Sequence, residues 1–162
     1  MLSERLRHVV DALPLRAGLR VIEIGCGPGA AAIEVARRVG PTGHVLAIDR
    51  SAAATSRLRT AAADLILEGR LTVHTVAVEH FELPPDTLPF DIAFGVRVGA
   101  LDGRHPELFE AALRNLRAGL TRAGRLFVDG GDPLREVDLT SGSRLSRTDG
   151  GEEQQDEARR DP

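Results

Sequence analysis

The sequence contains no lysine, tyrosine or tryptophan, and Cys26 is its only cysteine. The missing lysine and tyrosine exclude Schiff-base lysines and tyrosine acids as catalytic groups. A single thiol excludes an internal disulfide and any zinc site built on several cysteines, and it favours a reducing cytoplasm. Neither a signal peptide nor an apolar run of membrane-spanning length is visible. We therefore expect a soluble, cytoplasmic protein that does not associate with a membrane.

The charge balance provides no attraction for a polyanion. The 162 residues carry 21 Arg against 24 Asp and Glu, which gives a formal net charge of -3. Only 3% of the residues are aromatic, and all of these are Phe, so few side chains could stack on nucleic acid bases. Both features disfavour nucleic acid as a partner without excluding it.

Short β-branched runs alternate with segments of helical periodicity along most of the chain. This alternation predicts an α/β fold, a three-layer sandwich around a mostly parallel, doubly wound, Rossmann-like sheet. The predicted helices are residues 3–13, 30–39, 51–68 and 106–120. The predicted strands are residues 19–24, 43–48, 71–78, 90–98 and 125–128, which makes five clear strands.

The composition changes after Asp129. Residues 136–139 offer only a short candidate for a sixth strand, whereas residues 141–162 hold just two apolar side chains among Ser, Gly, Gln, Arg and acids. We expect one domain over residues 1–140, followed by a polar tail at 141–162 that is predicted to be disordered.

The most informative stretch is Val21-Ile22-Glu23-Ile24-Gly25-Cys26-Gly27-Pro28-Gly29. A glycine-rich turn between a strand and a helix lets the backbone bend sharply or approach a ligand closely. Asp49 ends the next predicted strand, where a carboxylate can accept hydrogen bonds from both hydroxyls of a ribose. Together these features indicate a cofactor of the adenosine type.

Two glycine patterns are compatible with this turn. Gly25, Gly27 and Ala30 satisfy the alanine-ended dinucleotide fingerprint. The second pattern is an acid two residues before G-x-G-x-G, as in Glu23 and Gly25 to Gly29. The acid separates the two, because a carboxylate beside a pyrophosphate is repelled, whereas beside a sulfonium and an amino group it is attracted.

With Glu23 in that place, residues 13–129 resemble the class I S-adenosylmethionine-dependent methyltransferases. The run Ala47-Ile48-Asp49-Arg50 resembles the second motif of that family, and Val78-Glu79-His80-Phe81-Glu82-Leu83-Pro84 is similar to the third. Residues 90–95 resemble its fourth strand. Residues 116–127 resemble its leucine, proline-glycine-glycine and strand segment, with Ala123 where proline is usual.

The resemblance implies S-adenosyl-L-methionine as the cofactor and methyl transfer as the reaction. Asp49 would bind the ribose hydroxyls, Arg50 would lie against the adenine face, Glu79 would accept from the adenine amino group, and the backbone N–H of His80 would face the ring. It implies no metal and no specific catalytic residue. The full set of implied cofactor-binding residues is Glu23, Gly25, Cys26, Gly27, Gly29, Asp49, Arg50, Glu79, His80 and Gly95.

The possible classes of methyl acceptor are narrowed by elimination. Enzymes that methylate exocyclic amines of nucleic acids resemble one another in an Asp- or Asn-Pro-Pro-aromatic run, and Phe94-Gly95-Val96-Arg97 stands in its place here. The one thiol is in the glycine turn, so a cytosine-C5 mechanism is excluded. We therefore expect a small-molecule acceptor.

The family sheet normally has seven strands, and here its C-terminal hairpin is expected to be shortened or absent. An open edge at the fifth strand would then be covered by residues 134–140 or by a second subunit, which motivates a homodimer hypothesis.

Alternatives remain open for the function and for single residues. A nicotinamide-dependent oxidoreductase could use the same turn, and a non-catalytic S-adenosylmethionine-binding module or partner subunit would need only the donor half. Glu23 could be a solvated strand-end carboxylate, Asp49 could cap the next helix, and Glu79 and His80 could be ordinary loop residues. For His105, the two alternatives are a residue that precedes a helix start and a general base that acts on the acceptor.

Overall fold

The computed structural model describes residues 1–140 as one α/β unit. The predicted tail at 141–162 lies outside these residues. The helices within residues 1–140 are α1 (Glu4–Ala12), α2 (Ala30–Val39), α3 (Ala52–Ala61), α4 (Ala63–Leu67) and α5 (Pro106–Gly119), with a single 3₁₀ turn over Val78–His80. The strands are β1 (Arg20–Ile24), β2 (His44–Asp49), β3 (Leu71–Thr75), β4 (Phe90–Gly95), β5 (Leu120–Asp129) and β6 (Leu134–Val137).

The six strands form one sheet in the order β3-β2-β1-β4-β5-β6. Every neighbouring pair is parallel except β5 and β6, which are antiparallel. The predicted mostly parallel, doubly wound sheet is confirmed. In the register, Ile24 of β1 lies opposite Ile48 on one side and Gly95 on the other, so the carboxyl ends of these strands meet at one edge.

The strand side chains alternate between two apolar layers, as expected for a sheet covered on both faces. Val21 and Val45 pack towards α1, α2 and α3, whereas Ile22 and Leu46 pack towards α5. The result is a three-layer sandwich whose sheet is buried on both sides.

Four predicted elements differ clearly from the structure, and the first is the strand predicted over 90–98, which ends at Gly95. The helix predicted over 51–68 breaks at Ala62, which has φ -116° and ψ 23°. The strand predicted over 71–78 ends at Thr75, and the 3₁₀ turn follows it. The last parallel strand starts at Leu120 instead of 125, because Leu120 pairs with Phe90 and the intervening residues form an irregular bulge.

A sixth strand, β6, follows the five predicted strands and overlaps the short candidate at residues 136–139. β6 pairs with residues 126–129 of β5, and Arg125 and Glu136 form a bidentate ion pair at 2.8 Å beside it. Within residues 1–140, the expected C-terminal hairpin is thus shortened to one strand. Because β6 covers this part of the edge, the open edge that motivated a homodimer is not present at residues 126–129.

Candidate functional site

A cleft of about 230 Å³ lies at the carboxyl edge of the sheet. Here the strand order reverses between β1 and β4, the position where open α/β sheets bind ligands. The ends of β1 and β2 form one wall, residues 76–79 form a second, and the connection between β4 and α5 forms the third. The lining residues are Ile24, Gly25, Ile48, Asp49, Arg50, Val76, Ala77, Val78, Glu79, Arg97, Val98, Gly99, Ala100, Arg104, His105 and Leu108.

Gly27 and Gly29, in the turn after β1, differ in what surrounds the position of a Cβ atom. Gly29 has φ +87° at the start of α2, and a Cβ there would lie 2.0 Å from Cδ1 of Leu58 on α3. Gly27 has φ +53°, and no heavy atom lies within 4 Å of the position its Cβ would take. Gly29 therefore permits helix packing, whereas Gly27 leaves open space in which a ligand can approach the backbone.

The carboxylate of Asp49 is held by backbone amides on both sides. Its Oδ2 accepts from the N–H of Gly27 at 2.8 Å, and its Oδ1 accepts from the N–H of Ser51 at 2.8 Å. Ser51, not Asp49, is the N-cap of α3, and its hydroxyl accepts from Ala54 N–H. A carboxylate has about four lone-pair sites, so Asp49 can still accept two hydroxyl donors from the cleft.

Glu23 lies beneath the turn and is 6% exposed. Burial raises its pKa to about 8, the nearby Asp49 charge adds to this, and the amide of Ala32 in α2 opposes it. Within residues 1–140 its Oε2 has no hydrogen-bond partner. The alternative of a solvated strand-end carboxylate is wrong, and Glu23 also does not line the cleft directly.

The 3₁₀ turn separates the two residues that were predicted to contact adenine. Glu79 is half-buried and lines the cleft. His80 is exposed, borders a shallow depression elsewhere on the surface, and its backbone N–H donates to the carbonyl of Ala77 at 2.9 Å. In this arrangement the His80 N–H is committed to the turn.

The remaining predicted residues take supporting positions. Arg50 is exposed at the cleft wall. Burial, with the charges of Glu23 and Asp49, raises the pKa of the Cys26 thiol to about 12, so this thiol is not a nucleophile near neutral pH. Gly95 ends β4, where a Cβ would approach Cγ2 of Val98 to 2.9 Å, and so its bare backbone allows the third wall to cross the sheet edge.

Sequence reasoning missed the way in which the third wall is built. Arg97 has φ +58°, a left-handed conformation that is uncommon for arginine. Its N–H donates to Oδ2 of Asp129 at 3.1 Å, and its carbonyl accepts from Nη2 of Arg104 at 2.6 Å. Arg104 is itself paired with Asp102 at 2.8 Å. No local sequence signal reveals this arrangement, because its partners come from another strand and a loop.

Across residues 1–140, no group of three His, Cys, Asp or Glu side chains is placed to hold a metal ion. None of the helices in that range is long and apolar enough to cross a membrane.

A family model described as a methyltransferase domain matches residues 15–144. The chain belongs to the class I S-adenosylmethionine-dependent methyltransferase family. The match covers the glycine turn, the end of β2, the 3₁₀ turn and the third wall, which are the elements that form the cleft.

Two curated methyltransferases resemble part of the chain. The ubiquinone/menaquinone biosynthesis C-methyltransferase UbiE of Geobacter sulfurreducens is 32% identical over 94 residues, which are 56% of this chain and 36% of that protein. The protein-L-isoaspartate O-methyltransferase of Ignicoccus hospitalis is 33% identical over 112 residues, which are 69% of this chain and 49% of that protein. The chain thus spans half or less of the length of these relatives.

A solved structure from Clostridium thermocellum that carries the name rRNA-methylase shares the methyltransferase fold. It superposes with a TM-score of 0.60 at 21% identity, over 79% of this chain and 69% of that chain. At this identity the likeness shows the fold alone. Because the names of these methyltransferases refer to different acceptors, membership of the family does not identify the acceptor.

Proposed function

We propose that the cleft binds S-adenosylmethionine and that this methyltransferase transfers the methyl group to a small-molecule acceptor. The orientation of Asp49 carries the proposal. Two amide N–H groups fix its carboxylate at the end of β2, where it can accept the hydroxyls of a ribose without rearranging.

The other residues of the cleft match the remaining parts of the same cofactor. Glu79 offers an acceptor for the adenine amino group, and Arg50 offers a guanidinium plane for the ring. Gly27 does not itself line the cleft, but the open space next to it in the adjoining turn allows the amino acid end of the cofactor to approach the backbone. A dinucleotide matches less well, because its pyrophosphate would meet the carboxylate of Asp49, which accepts from the Gly27 N–H within the turn.

The bound cofactor would supply an electrophilic methyl group on a sulfonium, which the acceptor takes as the carbon–sulfur bond breaks. The chain's own contribution is mainly to bind and orient both molecules, which can account for much of the acceleration. Of the five histidines in the sequence, only His105 lines the cleft. We propose it as the group that accepts a proton if the acceptor must lose one.

The acceptor is proposed to be a small molecule for three reasons. The chain is net acidic, it has few aromatic side chains, and Phe94-Gly95-Val96-Arg97 stands in place of the motif of exocyclic amine methylation.

Methyl-labelled S-adenosylmethionine tests this assignment directly. The full chain would be incubated with the labelled cofactor in three separate reactions, which contain a small-metabolite extract, total RNA or isoaspartyl peptides. We expect label to appear in the small-metabolite fraction. Label in RNA or peptide would contradict the proposed acceptor class, and a cofactor that is bound but never consumed would contradict the proposed catalysis.

A further inference from the structure

The side-chain amide of Asn115 on α5 joins that helix to the 3₁₀ turn. Its Nδ2 donates to the carbonyl of Glu79 at 2.8 Å and to the carbonyl of Val78 at 3.2 Å. Both hydrogens of one amide group are thus used on two successive carbonyls of a turn that precedes it by more than thirty residues. Asn115 is half-buried and does not line the cleft.

The same face of α5 packs against the turn at a second point. Gly119 follows Asn115 by one helical turn, and a Cβ on it would lie 3.1 Å from Cε1 of Phe81, which is 1% exposed. In the other direction, Leu108 precedes Asn115 by two turns and lines the cleft. One stripe of α5 therefore contacts the turn along its length and ends at the cleft.

The turn has few bonds of its own. The N–H of His80 donates to Ala77 at 2.9 Å, and the N–H of Phe81 donates to Val78 at 3.2 Å. A single 3₁₀ turn has poor hydrogen-bond geometry and is only marginally stable in isolation. The direction in which Glu79 points therefore depends on what fixes its backbone from outside, and the two bonds from Asn115 do so.

We propose that Asn115 is a positioning residue that determines how the cofactor site selects its base, because it holds Glu79 at the cleft wall. The inference rests on the proposed function, in which Glu79 accepts from the adenine amino group. A residue that only stabilised the fold would change the affinity for all cofactor analogues equally. A residue that acts through Glu79 changes the preference for a base that carries the amino group.

The test compares S-adenosylhomocysteine with S-inosylhomocysteine, in which an oxo group replaces that amino group. Calorimetry on the full chain gives both dissociation constants. We expect the unmodified protein to prefer the adenine compound by at least about tenfold, the size expected for a hydrogen bond to a carboxylate. Asn115→Leu, which keeps the branched shape without the donor, should reduce this preference to about twofold.

A double-variant cycle separates positioning from general support. Glu79→Gln should also lose the preference for the adenine compound. Adding Asn115→Leu to Glu79→Gln should change that preference by less than about twofold, because both substitutions interrupt the same interaction with the adenine amino group. Arg114→Gln, on the exposed side of the same helix, is the matched control and should keep the unmodified preference.

Each outcome has a defined meaning. If Asn115→Leu does not fold, Asn115→Asp provides the same comparison, since its carboxylate keeps the size but repels the two carbonyls. An unchanged preference in a folded variant would overturn the role of Asn115 while leaving the proposed function intact. If the unmodified protein bound neither compound, the proposed function itself would fail, and the inference with it.

Discussion

The two halves of the cleft are built in different ways. The donor half, at the turn after β1 and the end of β2, uses glycines in left-handed conformations and a carboxylate held by neighbouring amides. The other half, between β4 and α5, which we propose faces the acceptor, places Arg97 in a left-handed conformation that a hydrogen bond to Asp129 and another from Arg104 maintain. Strain of this kind is concentrated at functional sites. The donor half is therefore marked by local sequence patterns, even though its Asp49–Gly27 bond joins residues 22 positions apart, whereas no local pattern marks the acceptor half.

The largest expected effect is at Gly29. In Gly29→Ala, the new Cβ would lie 2.0 Å from Leu58 at a φ of +87°. Overpacking and a left-handed alanine together should lower the free energy of unfolding by about 3 kcal/mol. Urea denaturation measures the loss. Gly69→Ala is the control, since Gly69 has φ +70° but open space around it, and about 1 kcal/mol is expected there. Equal losses would show that packing on α3 does not require this glycine.

The next effect concerns the affinity of the donor half. Asp49→Ala removes the acceptor of two amide N–H groups and of the ribose hydroxyls. We expect the dissociation constant of S-adenosylhomocysteine to rise about 100-fold by calorimetry, equivalent to roughly 2.7 kcal/mol. Asp64→Ala, an exposed acid on α4, should leave it within about twofold. Unchanged affinity in Asp49→Ala would place the cofactor elsewhere.

A pH dependence is expected from Glu23 beneath the donor turn. Burial raises its pKa to about 8 from 4.5, so between these values the folded protein holds a proton that the unfolded chain releases. This contribution to stability is complete below the unfolded pKa and is lost as the pH rises towards 8. Between pH 5 and pH 8, the free energy of unfolding of Glu23→Gln should therefore rise by on the order of 2 kcal/mol relative to that of the unmodified protein. Parallel stability curves for the two proteins would show that Glu23 is ionised in the folded state.

The smallest expected effect separates the two halves. Arg97→Gly relieves the left-handed conformation in the acceptor half and should raise the free energy of unfolding by about 1 kcal/mol. The affinity for S-adenosylhomocysteine should stay within about twofold, while methyl transfer should fall because the wall loses its guanidinium. A variant with weakened cofactor binding would contradict the division of the cleft into two halves.

The same division describes how much could be predicted from the sequence. The strand, glycine turn and helix around Gly27 follow from local spacing, and Asp49 follows from its place at the end of the next strand. No local pattern distinguishes Asn115 from any other helical asparagine, because its two partners precede it by more than thirty residues. The predicted third strand was too long for a related reason. Residues 76–78 are apolar enough for a strand, but in the fold α5 packs against the turn that they lead into.

Calorimetric titration of the unmodified protein with S-adenosylhomocysteine and, separately, with NAD distinguishes the proposed cofactor from a dinucleotide. We expect saturable binding of S-adenosylhomocysteine at one site per chain and no measurable heat with NAD. Binding of NAD, or no binding of S-adenosylhomocysteine, would contradict the proposed cofactor.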